Sequence, residues 1–199
     1  MSNWHQQQSK DPYLKMRDAK GYRSRASFKL EQVLNKNKFI KNGNRIIELG
    51  SSPGGWSQVL AKVNSKGINI ACDLLLMPPV NGVNFIQGDF LDSEIQATIK
   101  AIIHPELVDV IISDMAPNLS GDVSVDQYRA IAMWEMVLEF AEQILNPGGN
   151  LLIKVFQGVG FDDFLKAMRS KFQSVKSLKP DASKKSSREV YLLGTNFKV

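Results

Sequence analysis

Lys154 stands inside the apolar run Leu151-Leu152-Ile153-Lys154-Val155-Phe156. Asp114 follows Val110-Ile111-Ile112-Ser113, and Glu189 precedes Val190-Tyr191-Leu192-Leu193. Charged side chains are seldom enclosed by apolar sequence unless they are paired or needed for chemistry. An amine and two carboxylates at the margins of apolar strands predict a polar cluster at one edge of a sheet. Its chemistry would be proton transfer or the steadying of charge; the plainer alternative is a buried ion pair that only holds structure. Lys29 adds a second amine. It falls beside the inner face of a helix predicted over residues 24–35, whose apolar positions are Ala26, Leu30, Val33 and Leu34. Its amine either snorkels to solvent or reaches the edge where Lys154 lies, and spacing alone leaves both open.

A second constellation is fit for a small molecule. Ile46-Ile47-Glu48-Leu49-Gly50-Ser51-Ser52-Pro53-Gly54-Gly55-Trp56-Ser57 reads as a strand, a glycine-rich turn and a helix start. Glycines permit close backbone approach to a ligand, and a helix N-terminus offers N–H groups to an anion. The spacing is G-x-x-x-G-G rather than G-x-G-x-x-G, which disfavours a nicotinamide oxidoreductase. Asp73, 23 residues after Gly50, ends the next strand, where a carboxylate can accept bonds from ribose hydroxyls. Asp89 follows the third strand and is placed for an adenine amine. A nucleoside-containing ligand fits these elements in order.

The elements that must carry these residues are legible as β-α repetition from residue 45 onward. Strands are predicted over 45–49, 69–74, 83–87, 108–113, 151–156, 174–178 and 189–195, mostly as apolar runs without strict alternation. The clearest helix covers 125–145 and should stop at Asn146-Pro147-Gly148-Gly149. Such repetition implies a parallel, doubly wound sheet. The last two strands are joined by the polar stretch 179–188, so an antiparallel pair is expected at one edge. Residues 1–20 read as a mobile basic arm before a single domain over 21–199.

At 199 residues and 43% hydrophobic, the chain suits one well-packed domain. No apolar run approaches a membrane span, and the first residues lack a signal core. The single cysteine, Cys72, reads as a small buried hydrophobe and fits a reducing cytoplasm. His5 and His104 have no metal-ligand spacing, so neither zinc nor a histidine base is expected. Net charge is +5, but it is unevenly spread. Residues 1–45 hold eleven Lys/Arg against three Asp/Glu, residues 46–165 five against fifteen, and residues 166–199 nine against two. Basic ends around an acidic middle predict a polyanion held by the terminal segments, unless this is only solvated surface charge. Arg23 and Arg25 beside Tyr22, and Lys184, Lys185 and Arg188 near the C-terminus, are the residues expected to meet the phosphates of such a polyanion.

Several segments closely resemble the FtsJ/RrmJ (RlmE) family of S-adenosylmethionine-dependent 2′-O-ribose methyltransferases. They are Arg23-Ser24-Arg25-Ala26-Ser27-Phe28-Lys29-Leu30, the run from Gly50 to Trp56, Ser113-Asp114-Met115-Ala116-Pro117-Asn118, Lys154-Val155-Phe156-Gln157-Gly158 and Ser187-Arg188-Glu189-Val190-Tyr191. The resemblance covers roughly residues 20–195. It implies a Rossmann-like α/β fold with a seven-stranded, mostly parallel sheet, helices on both faces and one antiparallel strand near the edge. It also implies a catalytic tetrad of Lys29, Asp114, Lys154 and Glu189. Cofactor-binding positions would be Gly50, Pro53, Gly54, Trp56, Asp73, Asp89 and Asp114. The bacterial branch acts on a uridine in the A-loop of large-subunit (23S) ribosomal RNA, so that RNA within the 50S subunit is the implied partner, met by a monomer in the cytoplasm. Ser27, Ser51-Ser52, Leu76 and Pro78 depart from the family pattern. The first would alter RNA contact and the last the rim of the cofactor pocket. A methyltransferase acting on transfer RNA or another RNA, and a noncatalytic RNA-binding relative, share enough of this pattern to stand as rivals.

The implied reaction is in-line attack of a ribose 2′-oxygen on a sulfonium methyl group, in which alignment does much of the work. Lys154 would act as a base if neutral. That requires moving an amine from about 10.4 towards 7–8, about 3–5 kcal/mol against its ammonium form. Desolvation and Lys29 push that way, Asp114 and Glu189 the other. In the second version Lys154 stays cationic and steadies the attacking oxygen. Lys29 and Glu189 would orient the ribose and the amine.

Overall fold

The computed structural model describes residues 12–118, 120–184 and 186–199. Seven strands form one sheet: β1 (Arg45–Leu49), β2 (Ile68–Asp73), β3 (Asn84–Gln87), β4 (Val108–Ser113), β5 (Leu145–Phe156), β6 (Phe172–Leu178) and β7 (Glu189–Phe197). Their spatial order is β3-β2-β1-β4-β5-β7-β6. The first five are parallel, while β7 runs antiparallel to β5 on one side and β6 on the other. A helix-free connection after β6 cannot return the chain for a parallel strand, so the chain reverses. The expected antiparallel pair is present, with β6 as the edge.

Among the described residues there are six helices: α1 (Pro12–Lys20), α2 (Ala26–Lys36), α3 (Gly55–Val63), α4 (Ser93–Ile103), α5 (Val123–Ile144) and α6 (Phe161–Lys171). The last five cover the sheet on both sides. Phe28, Leu30, Val33, Trp56, Val59 and Leu60 of α2 and α3 pack on Ile46, Val110, Ile112, Leu152, Tyr191 and Leu193. On the opposite face α4, α5 and α6 pack Ile99, Trp134, Val137, Phe140 and Phe164 on Ile47, Leu49, Ile111, Ile153, Val155 and Leu192. Successive strand residues point to opposite faces. Both faces are buried, so both sets are apolar and no alternation shows in the strand sequences.

Two expectations change. Over residues 12–20 the basic arm is a helix, opened by Pro12 at a position where a missing N–H is harmless. It docks on α2: the Tyr13 and Phe28 rings lie 5.5 Å apart, and Lys20 Nζ pairs with Glu31 Oε2 at 3.1 Å. Residues 1–11 lie outside the described residues. The Asn146-Pro147-Gly148-Gly149 break does end α5, but β5 starts at once at Leu145. A register shift between Val108 and Val110 lets the strand absorb the proline and Gly148, which has φ +81°. Among the described residues no helix is long and apolar enough to cross a membrane.

Candidate active site

The four expected catalytic residues meet beyond the carboxyl ends of β4 and β5. Pairing of β5 with β7 sets Lys154 opposite Tyr191 and Phe156 opposite Glu189. Asp114 leaves β4 with its N–H bonded to Leu49 O of β1 at 3.0 Å. Lys154 is only 8% exposed. Its Nζ lies 3.2 Å from Asp114 Oδ1 and donates to Asp114 O at 2.5 Å. Lys29 reaches inward from α2 and pairs with Glu189 Oε1 at 2.6 Å. Spacing left its direction open; the tertiary fold turns it to the sheet edge, because α2 packs across the end of β7. An amine with two acceptors has one position left on nitrogen, carrying a proton in the ammonium and a lone pair in the free amine. Which of these faces the substrate separates the two versions of the chemistry.

Three residues that sequence reasoning did not single out complete the cluster. Tyr191 is fully buried, and its hydroxyl donates to the same Asp114 Oδ1 at 2.7 Å. Burial first, then the charges of Asp114 and Glu189, push the phenol well above its ordinary range, so it remains a donor. Ser183 Oγ donates to Glu189 Oε1 at 3.2 Å. Burial alone would raise the Glu189 carboxyl, but the hydrogen bond and charge of Lys29, then the charge of Lys154, outweigh it and hold it below the usual range. Glu189 and Tyr191 are two apart on one strand and so share a face, the one available signal for Tyr191. The third is Glu48, buried on the same sheet face. Ser57 Oγ donates to its Oε2 at 2.5 Å, while Oε1 has no partner. Burial drives its carboxyl up to about 8, with Asp114 and Asp73 adding to the rise and Ser57 opposing it.

Beside this cluster the glycine turn forms a cradle. A Cβ on Gly50 (φ +79°) would lie 2.8 Å from Met115 Cγ and 2.9 Å from Met115 N, so glycine lets the end of β4 close in. On Gly54 (φ +102°) it would lie 2.7 Å from Arg23 Nη1. No side chain caps the N-terminus of α3, and Ser51 Oγ is buried without a partner. Uncapped N–H groups, an orphan hydroxyl and the orphan oxygen of Glu48 fit the amino-acid end of S-adenosylmethionine. Asp73 accepts from Ser52 N and Leu75 N, both at 2.8 Å. These bonds fix its carboxylate and leave lone pairs for ribose hydroxyls. Exposed Asp89 is held at Oδ1 by Leu91 N at 2.9 Å. Pro53 is exposed on the turn. The Trp56 indole is buried, donates to Ala26 O at 2.8 Å and lies 5.6 Å from the Tyr191 ring. It braces α3 against the cluster and can offer the cradle only its main chain.

The residues expected to hold RNA divide. Arg23 donates to the carbonyls of Pro53, Pro78 and Pro79 at 3.3, 2.5 and 2.8 Å, clamping the glycine turn to the loop after β2. Arg25 Nη2 donates to Ala182 O at 2.6 Å, tying α2 to the segment that carries Ser183. Both arginines therefore build the site's walls. Lys184 and Arg188 are exposed beside Glu189, and Lys185 lies outside the described residues. Ser27, expected to alter RNA contact, is instead fully buried and donates to Gly55 O at 2.9 Å. Cys72 is buried and free, its thiol pushed up to about 12 by burial, then by Asp73 and Asp89. Among the described residues no group of His, Cys, Asp and Glu is arranged to hold a metal.

Known proteins share this architecture. A Plasmodium falciparum structure described as a ribosomal RNA methyltransferase is 30% identical, with a TM-score of 0.80 over 88% of this chain and 98% of that one. The fibrillarin pre-rRNA processing protein of Methanococcus jannaschii, 20% identical, has a TM-score of 0.57 over 81% of this chain and 70% of its own, which extends the likeness of fold. The FtsJ-like methyltransferase family matches residues 22–197. With the glycine cradle on one side of Asp114 and the amine cluster on the other, the chain belongs to the FtsJ-like methyltransferases, whose methyl donor is S-adenosyl-L-methionine.

Proposed function

We propose that this protein methylates a ribose 2′-oxygen of large-subunit (23S) ribosomal RNA, at the A-loop uridine of the 50S subunit, as a cytoplasmic monomer of the bacterial branch. One observation carries the chemistry. Asp114 is shared: its backbone N–H is bonded to the strand that enters the cofactor turn, and its carboxylate receives both Lys154 and Tyr191. A group held there is therefore in fixed register with the amine. The Plasmodium protein's description supports ribosomal RNA as the substrate.

The cofactor supplies an activated methyl group on sulfur, and the chain's residues do the rest. Gly50, Gly54 and the first turn of α3 give close backbone approach and N–H donors; Asp73 and Asp89 orient the nucleoside. The ribose 2′-hydroxyl would approach Lys154 Nζ at its remaining position. There the amine takes the hydroxyl proton, or as ammonium steadies the developing oxyanion. Lys29 and Glu189, locked to each other at 2.6 Å, flank the approach and orient the sugar. Tyr191 and Ser183 hold the two carboxylates still.

Labelled S-adenosylmethionine incubated with 50S subunits and with transfer RNA tests the substrate. Label at a 2′-oxygen of 23S RNA, lost in cells lacking this protein, is the expected result. Label in transfer RNA alone moves the function to the first rival, and none in either RNA favours the noncatalytic one.

A further inference from the structure

A second concavity adjoins the cluster. About 250 Å³ lie between the first turns of α5 and the Gly158-Val159 turn after β5, walled by Val123, Gln127, Tyr128, Ile131, Val159 and Arg188. Val123, Tyr128 and Val159 are 67%, 71% and 72% exposed, a cluster of apolar surface at one point on the rim. The pocket has a fixed frame. Gln127 Nε2 donates to Val159 O at 2.7 Å, and Asp122 caps α5 by accepting from Ser124 N and Val125 N. A Cβ on Gly158 would lie 3.6 Å from Gln127 Oε1 and 3.7 Å from Arg188 Nη1, so an amide and a guanidinium flank the turn.

Its position relates it to the reaction. Gly158 is four residues after Lys154, at most about 14 Å along an extended chain, and Arg188 immediately precedes Glu189. Gln157 N donates to Arg188 O at 2.9 Å, so both walls are tied to the strand ends that carry the cluster. We infer that this pocket receives one unstacked base of the RNA strand, from a nucleotide next to the one methylated. Tyr128 is its stacking face, Arg188 the cation for the adjoining phosphate, and Gln127 a polar contact for the base edge. Single-stranded RNA is held by this pairing of aromatic faces and cations. Volume and charge favour a base over a peptide. The larger groove between α5 and α6, about 560 Å³, shows the contrast: Glu135, Glu139, Glu142 and Asp163 line it and would repel RNA.

The inference rests on the RNA methyltransferase reading, so its test separates the two. Methylation of 50S subunits is followed for the full chain, Tyr128→Ala and Tyr128→Phe, with 4-thiouridine crosslinking to the same particles. We expect Tyr128→Ala to raise KM by about 5- to 150-fold, the range of one lost stacked base, with kcat largely kept. Tyr128→Phe should stay near the parent, and RNA crosslinks should fall on peptides 123–128 or 158–159. An unchanged KM in Tyr128→Ala, or RNA crosslinks that bypass those peptides, overturns the pocket and leaves the methyltransferase reading standing. No methylation of any RNA by the parent chain removes that reading and the pocket with it.

Discussion

The two faces of the sheet differ in where they bury charge. Ile153 and Lys154 are neighbours on β5, yet Ile153 joins an apolar core under α4, α5 and α6 while Lys154 enters the charged cluster beside α2 and α3. The buried strand residues on the α4–α6 side carry no charge, although Ser113, in register with Leu49 and Ile153, brings a hydroxyl. Glu48, Lys154, Glu189 and Tyr191 share the other face, with Asp114 just beyond the end of β4. A sheet can carry buried charge on one side because the other side supplies stability without it. That division predicts separable losses: function from one face, stability from the other.

The sharpest way to break the comparison is to mutate the neighbours. We expect Lys154→Ala to slow single-turnover methyl transfer about 10²- to 10⁴-fold with the fold retained by circular dichroism. Ile153→Ala should cost about 2–5 kcal/mol of stability and leave the rate nearly unchanged below its melting temperature. Equal effects of both substitutions on rate would end the division. A pH–rate profile then separates the two versions of Lys154: a base near neutrality that disappears in Lys154→Ala marks the neutral amine, and a flat profile marks the cation.

Glu48 tests whether the charged face has a stability cost. Its carboxyl is raised to about 8 in the fold, so the folded state favours its protonated form. The stabilisation is complete below the unfolded value and lost as pH rises through about 8. Thermal melts of the apoprotein at pH 5 and pH 8 should therefore diverge from those of Glu48→Gln. The variant should gain on the parent by a few kcal/mol at the higher pH, and parallel melts at both values would count against this account.

Smaller effects sharpen the picture further. Tyr191→Phe keeps the ring against Trp56 but removes the bond to Asp114, worth about 1.5–3 kcal/mol when the partner is charged. A melting temperature lowered by about 2–4 °C per kcal/mol lost, together with slower methyl transfer, is the expected outcome; an unaltered rate would reduce Tyr191 to packing. Last, Arg188→Gln should lower the salt slope of subunit binding by about one, as for a single phosphate contact. Arg23→Gln should leave that slope alone and weaken S-adenosylmethionine binding instead, measurable by calorimetry.

Much of the site was legible because charge inside apolar sequence has few structural explanations. Lys154, Asp114 and Glu189 were found that way, and their strands begin or end within a few residues of expectation. The bracing role of Arg23 was not legible, because its guanidinium finds three carbonyls on loops 30 to 56 residues away. Residues 12–20 misled because a short polar helix has little apolar stripe, and its stability comes from docking Tyr13 and Lys20 on α2.

By itself the sequence determined the order of strands and helices, the glycine turn and which charges are costly to bury, since these depend on local periodicity and residue chemistry. Only the tertiary structure decided that Lys29 turns inward, that Tyr191 shares Asp114 with Lys154, and that two arginines tie distant segments together through backbone carbonyls. Those outcomes depend on strand register and on contacts between segments distant in the chain, which no local pattern of residues encodes.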